Sequence, residues 1–284
     1  MKIAISAANE AGKAILAIYS KDFAVEYKKD NSPLTDADCA ANEIIRDKLS
    51  KTSYPIISEE NKQISYSQRK NWDKYWLVDP IDGTKEFVKR NGEFTVNIAL
   101  IENGKPILGV VFVPVLSTYY LGDNNGAFKA ISGIHYKSID ELLNNVNSNL
   151  EKLEQIYVSN NIKESLKVVA SKSHCNNETL NFISELEDVY GKATCIAKGS
   201  SLKLCMVAEG LADFYPRVAP TCEWDTAAAH AVVNAAGGSV FLYDNKINAK
   251  EYYKNNNLLN ELSYNKENIL NPYFIVSGLH KYNT

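Results

Sequence analysis

The sequence predicts a mixed protein, α+β in its first half and α/β in its second, folded as two closely packed subdomains. Two observations carry this expectation. Apolar runs of strand length fill 94–130, and the Asn103-Gly104 pair between two of them is a strong hairpin signal, so these strands should be mostly antiparallel. Beyond about residue 160, strand-like and helix-like segments alternate, as in an α/β unit. The 284 residues suffice for one large domain or two packed ones. The division is placed at 1–150 and 151–284, within a stretch that has no Pro/Gly/Ser-rich linker.

The elements follow in order. Ile5, Ala8, Ala11, Ile15, Leu16 and Tyr19 share one face of a helix over 2–20. Thr35 and Asp36 are good N-cap types, opening a second helix through Ala40, Ala41, Ile44, Ile45 and Leu49. Short buried strands at 54–57 and 75–78 end respectively at Ser58-Glu59-Glu60 and Asp79-Pro80. Strands at 94–101 and 107–113 flank the Asn-Gly turn, and strands at 118–121 and 127–130 flank Asp123-Asn124-Asn125-Gly126. The polar stretch 136–155 reads as helix or loop. Strand 167–170, helix 177–186, strand 194–197, helix 201–209, strand 212–215 and helix 225–236 then alternate, the last stopped by Gly237-Gly238. Residues 244–271, rich in Asn, Lys and Tyr, read mainly as a solvated surface excursion.

Composition narrows the function. A 45% hydrophobic and 23% charged chain is ordinary for a soluble globular protein. The net charge of -3 leaves no footprint for long nucleic acid, while allowing a local basic pocket. The cysteines Cys39, Cys175, Cys195, Cys205 and Cys222 are odd in number and scattered, with no C-x-x-C pair. They read as reduced thiols of a cytosolic protein, not a disulfide framework or zinc site. His135, His174, His230 and His280 form no metal-ligand pattern. No apolar run approaches the ~18 residues of a membrane span, and the apolar stretch 3–8 is too short for a signal peptide.

The most informative segment is Asp79-Pro80-Ile81-Asp82-Gly83-Thr84. Two carboxylates close a buried strand, Pro80 stiffens the turn, and Gly83 permits close approach of a ligand. Thr84 adds a hydroxyl at the start of a short helix over 84–89. Magnesium sites use a few carboxylates with water and substrate phosphate, and helix-start N–H groups suit phosphate. A capped surface turn explains this hexapeptide alone equally well. Ser58-Glu59-Glu60, Asp36 with Asp38, and Trp224-Asp225 are likewise explained singly as solvated acids or helix caps.

Taken together, they resemble something specific. Residues 75–84, the upstream Ser58-Glu59-Glu60, and Trp224-Asp225-Thr226-Ala227-Ala228 running to Ala236-Gly237-Gly238 resemble the two signature motifs of the inositol-monophosphatase superfamily, in the right order and over nearly the whole chain. Segments 30–38, 82–87, 91–100 and 199–203, with Tyr215-Pro216-Arg217 leading into Pro220-Thr221, are similar to the bacterial 3'(2'),5'-bisphosphate nucleotidases within it. The 244–271 segment departs from that pattern by its length and polarity.

The resemblance implies a layered αβαβα sandwich. It implies a lithium-sensitive, cytoplasmic phosphatase dependent on two or three Mg2+ ions. The substrate class would be a small phosphonucleotide, with release of the 3'-phosphate of adenosine 3',5'-bisphosphate. Oligomeric state and any contact with the inner membrane stay open. Carried over by position, Glu60, Asp79, Asp82, Asp225 and the carbonyl of Ile81 match metal ligands. Asp36 and Thr84, with Glu60 beside them, match the groups that activate water. The phosphate would rest on the N–H groups of Gly83 and Thr84. Ser171, His174, Ser200 and Lys203 match contacts to the adenosine monophosphate moiety, and Lys203 and Arg217 suit the second phosphate. The competing readings are an inositol monophosphatase, a fructose-1,6-bisphosphatase, a non-catalytic phosphonucleotide-binding protein and a nuclease for very short RNA.

Overall fold

The computed structural model describes residues 1–28, 33–61, 64–131, 153–159, 162, 165–171, 176–249, 251–254 and 259–278. A small ribbon, β1 (Glu26–Tyr27) with β2 (Pro33–Leu34), follows the first helix, α1 (Lys2–Tyr19). The large sheet has seven strands in chain order: β3 (Ile56–Ser58), β4 (Lys74–Asp82), β5 (Thr95–Glu102), β6 (Lys105–Val113), β7 (Thr118–Asp123), β8 (Gly126–Ile131) and β9 (Leu153–Ile156). Only the β3–β4 pair is parallel; the rest form an antiparallel meander, with Asn103 and Gly104 in the left-handed region at the β5–β6 hairpin.

β4 alternates its side chains between two cores: Trp76 and Val78 face one, Tyr75 and Leu77 the other. A strand buried on both faces needs an apolar run, which is what 75–78 supplies. On the outer face, α1 and α2 (Asp36–Leu49) pack Ile5, Ile15 and Ile45 against Trp76, Ile98 and Phe112. Between β3 and β4 lies a single turn, α3 (Tyr66–Arg69), and β4 leads into α4 (Thr84–Val88).

The second sheet has five strands in the order β11 (Ala193–Lys198), β10 (Leu166–Ser171), β12 (Phe214–Arg217), β14 (Phe274–Ser277), β13 (Ser239–Leu242). β10 pairs parallel to β11 and β12, while β14 runs antiparallel to β12 and β13. Its outer face carries α5 (Asn177–Tyr190), whose Phe182 and Leu186 pack with Val168, Phe214 and Ile275. The inner layer is α6 (Leu202–Ala208) and α7 (Glu223–Ala235), in one continuous core with residues of both sheets. The five layers are therefore helix, sheet, helix, sheet, helix. α7 lies hard against the large sheet because β6 offers a glycine there: a Cβ on Gly109 would stand 2.0 Å from the carbonyl oxygen of Ala228.

Most predicted elements lie within two or three residues of those observed, though the strand placed at 75–78 runs on to Asp82 and the helix placed at 177–186 to Tyr190, and the structure departs from expectation elsewhere. β9 belongs to the large sheet, so that sheet extends past the division placed at 150. Of the expected polar stretch 136–155, residues 136–152 lie outside the described residues and 153–155 are strand. The 244–271 segment is not a solvated excursion: Ala249 and Tyr252 are fully buried, and Leu262, Tyr264 and Asn271 nearly so, with a helical turn, α8 (Glu251–Lys254), packed beside β14. Strands β13 and β14 were not among the predicted elements; each is four residues long.

Candidate active site

The site forms where β4 ends. Pairing with β5 loses register between Asp79 and Asp82, and the irregularity re-aims the strand's last side chains. Asp79 accepts a bond from the N–H of Ile81 at 3.1 Å, which closes the turn through Pro80. Gly83 follows with φ 94, the left-handed region that glycine tolerates best, and a Cβ there would stand 3.2 Å from the carbonyl oxygen of Glu93.

β3 brings the next acid. Its parallel pairing with β4 runs Ser58 to Val78 and continues by one bond, Glu59 N–H to Val78 O at 3.2 Å. Glu59 therefore stands beside Asp79. α7 brings the third, since Asp225 is the N3 residue of that helix and one of its oxygens accepts from the N–H of Cys222 at 2.8 Å. Carboxylate oxygens of Glu59, Asp79 and Asp225 lie within 4.8 Å of one another. Burial pushes the Asp79 carboxyl well above its usual range, with Glu59, Asp82 and Asp225 adding to the shift. Burial, then Asp82 and Glu59, do the same to Asp225. Glu59 is raised by burial, against the opposing charge of Lys28, whose Nζ bonds Glu59 at 2.8 Å and Glu60 at 2.5 Å. Burial disfavours the Lys28 ammonium, but these two acids outweigh it and hold the group above its ordinary range.

Two predicted positions are corrected here. Glu60 is turned to Lys28, and it is Glu59 that joins Asp79 and Asp225. Consecutive residues at the end of a strand point to opposite sides, and only one can continue the ladder beside Asp79. Asp36 is exposed on the first turn of α2, whereas Asp38 is 1% exposed and lies 3.3 Å from the Thr84 hydroxyl. Residues two apart on a helix face away from each other. Asp38 is held by Thr35 through its N–H (2.8 Å) and its hydroxyl (2.7 Å), and burial raises its pKa against those donors. The choice of Asp38 was within reach of the sequence, whereas that of Glu59 depends on the strand pairing. Asp38, Asn42, Ile45 and Leu49 form one helical stripe, and Thr35-x-x-Asp38 is a capping-box pattern.

The second sheet closes the other side. Asp82 accepts at one oxygen from Ser200 Oγ (2.8 Å) and the Ser201 N–H (2.5 Å), with Asn97 at 3.4 Å. Thr95 joins Ser200 and Ser201 by hydroxyl contacts of 2.7 and 2.8 Å. This hydroxyl network was missed because no local pattern links 95–97 to 200–201. Lys203 is buried, bonds the carbonyl of Ser200 at 2.6 Å and stands over the Tyr215 ring. Burial lowers its pKa to about 8, against the attraction of Asp82. Lys198, Lys203 and Arg217 line the same cleft as Asp82, Glu86 and Asp225. Arg217 donates to the carbonyl of Pro220 at 2.9 Å. His174 lies outside the described residues; Ser171 ends β10, and its side chain also lies outside them.

The sequence model described as the inositol monophosphatase family matches residues 1–273. The chain belongs to the inositol monophosphatase family. Among the family's curated members, it is 42% identical over 275 residues to the 3'(2'),5'-bisphosphate nucleotidase CysQ of Escherichia coli (strain K12), covering 95% of this chain and 96% of that one. With the enzyme of the same name from Buchnera aphidicola it shares 44% over 238 residues, 82% of this chain and 80% of the other. The solved structure of CysQ from Bacteroides thetaiotaomicron, described as a bacterial member of the family, superposes with a TM-score of 0.79 at 43% identity, covering 97% and 95% of the two chains. The suhB protein of Bartonella henselae, at 23% identity and a TM-score of 0.69, shares the fold over 99% of this chain and 94% of its own. Among the described residues no helix is long and apolar enough to cross a membrane.

Proposed function

We propose that this protein is a magnesium-dependent 3'(2'),5'-bisphosphate nucleotidase that hydrolyses the 3'-phosphate of adenosine 3',5'-bisphosphate to AMP and phosphate. The observation that carries the reading is one cleft lined by both acids and cations. Asp82 and Asp225 line it together with Lys203 and Arg217, and Asp225 joins the clustered Glu59 and Asp79. A substrate with one phosphate to lose and one to keep uses both kinds of group; inositol 1-phosphate has no second phosphate for the cations. The activity named for the Escherichia coli and Buchnera relatives points the same way.

The acids suit magnesium. Three carboxylates packed together and pushed toward the protonated form are an unfavourable arrangement until cations compensate them. All the donors are hard oxygens, which favours Mg2+ over softer metals. Glu59, Asp79 and Asp225 would hold two or three ions, with Asp82 and the carbonyl of Ile81 beside them. Bound magnesium screens the charge of the phosphate dianion and makes water more acidic.

The remaining steps fall to side chains. Thr84 offers its hydroxyl to Asp38 and can accept a proton from the attacking water on the same oxygen. Asp38 takes the Thr84 proton, and its raised pKa makes it a better acceptor near neutral pH. Thr35 occupies the far oxygen of Asp38 and so keeps the near one aimed at Thr84. The N–H groups of Gly83 and Thr84 take phosphate oxygens. Lys203 and Arg217 bind the retained 5'-phosphate, with Ser200 beside them.

The test is phosphate release with magnesium from adenosine 3',5'-bisphosphate, inositol 1-phosphate and fructose 1,6-bisphosphate. The nucleotide should exceed both others by at least ~10-fold in kcat/KM, about 1.4 kcal/mol of discrimination. A preference for inositol phosphate overturns the nucleotide reading and leaves the acid cluster standing.

A further inference from the structure

Asp225 offers the acid cluster one oxygen, and where that oxygen stands depends on where the first turn of α7 stands. That turn is gripped by the segment 263–271 through a buried acid two residues earlier. Glu223 is fully buried. One of its oxygens accepts from the N–H of Asn265 at 2.9 Å; the other accepts from the N–H of Lys266 at 3.0 Å and from Lys266 Nζ at 2.6 Å. The same turn is bonded again by the Glu223 N–H to the Ile269 carbonyl (3.0 Å) and the Asn271 amide to the Cys222 carbonyl (2.7 Å). The far side of the strap is anchored in turn: Arg69 bonds the side chain of Asn265 at 2.8 Å and the carbonyl of Glu267 at 3.1 Å. Asn265 holds φ 64, a left-handed conformation that asparagine adopts more readily than most residues other than glycine.

We infer that Glu223 is a positioning residue, which through Asn265 and Lys266 fixes the start of α7 and thereby the oxygen that Asp225 presents for metal. A buried carboxylate with three N–H donors is a stiff tether, because leaving any of these groups unpaired in the interior is unfavourable. Packing alone would be served by an apolar side chain at 223. The charge-bonded tether adds a fixed direction. This rests on the reading of Asp225 as a metal ligand given above.

The test uses the whole protein and Mn2+ as a paramagnetic stand-in for magnesium, with affinity read by electron paramagnetic resonance and fold by thermal unfolding in EDTA. The deciding variant is Lys266→Met. It removes a positive charge near a cation site, so electrostatics alone predicts tighter Mn2+ binding. Loss of positioning predicts binding weaker by about 3-fold or more. Glu223→Asp keeps the charge but shortens the reach, and should weaken Mn2+ at least 10-fold. Unchanged or tighter Mn2+ binding in Lys266→Met, with a lowered Tm, makes Glu223 a fold staple and overturns the inference. Should Glu223→Asp fail to fold, Lys266→Met decides alone. Asp225→Asn separates the two readings: if it binds Mn2+ like the parent, the ligand assignment has failed, whatever Glu223 does.

Discussion

The hydroxyl of Thr84 lies 3.3 Å from an Asp38 oxygen and 3.2 Å from the carbonyl of Ile81. One proton can bond only one of these acceptors at full strength. When Thr84 donates to Asp38, its own lone pairs are free to receive a proton from water, and the Ile81 carbonyl is free for another partner.

Asp38→Asn keeps the volume and one acceptor oxygen but removes the proton sink. Turnover should fall by about 10²–10⁴-fold, with Mn2+ affinity within a few-fold of the parent. Asp36→Asn, on the exposed side of the same turn, should retain near-normal turnover. Steady-state kinetics of the two side by side checks the assignment; the reverse ranking would return the role to Asp36.

Glu59→Gln should weaken metal binding and abolish most turnover while leaving the fold intact, and Asp82→Asn should do likewise. Glu60→Gln, which removes the charge paired with Lys28 and lies outside the Glu59–Asp79–Asp225 cluster, should be far milder. Titration of activity against magnesium separates these, since a ligand variant needs more metal and an ion-pair variant does not.

The metal-free protein should lose stability as pH rises. Asp79 and Asp225 ordinarily titrate near 3.8, and burial with mutual repulsion raises both in the folded state. The folded form therefore binds more protons than the unfolded one above that pH, and the stability from this source, complete below about 3.8, is lost as pH climbs through the raised values. Tm in EDTA should fall as pH rises above about 3.8 through the acid and neutral range, and magnesium should flatten the slope. A Tm that rises over that range in EDTA would contradict the shared burial of these acids.

Lys203→Met should raise KM for adenosine 3',5'-bisphosphate with a smaller change in kcat. A charge-assisted bond to phosphate is worth about 2 kcal/mol, or roughly 30-fold in affinity. Because burial places the Lys203 pKa at about 8, KM of the parent should climb above that pH as the ammonium discharges, and the variant should lack this limb.

Gly83→Ala should destabilise the protein by about 1–3 kcal/mol, since an alanine must hold a left-handed φ beside the Glu93 carbonyl. Thermal unfolding measures it.

Strands β5 to β8 of the meander were legible because each is an apolar run bounded by a turn, and α1 and α2 because their apolar residues recur along one face. The hexapeptide from Asp79 to Thr84 marked the site only together with Ser58-Glu59-Glu60 and Trp224-Asp225, since alone it reads equally well as a capped turn. The choice between neighbours was not decided by adjacency. Glu59 and Glu60 differ only in which one continues the parallel ladder beside Asp79, and Asp36 and Asp38 only in which one the helix turns inward. The 244–271 segment misled because polarity was read as exposure. Its Asn265, Lys266 and Asn271 bond the buried Glu223 and the first turn of α7, while Leu262 and Tyr264 enter the core.

The sequence by itself determined the family, the chemistry of the acid-rich turn and most of the elements, because these depend on local pattern and on residue type. Tertiary structure alone decided which acids meet, how Ser200 and Ser201 pin Asp82, and how Glu223 grips a segment about forty residues downstream. Those relations join parts of the chain that share no local pattern, and they arise only when two sheets close over one layer of helices.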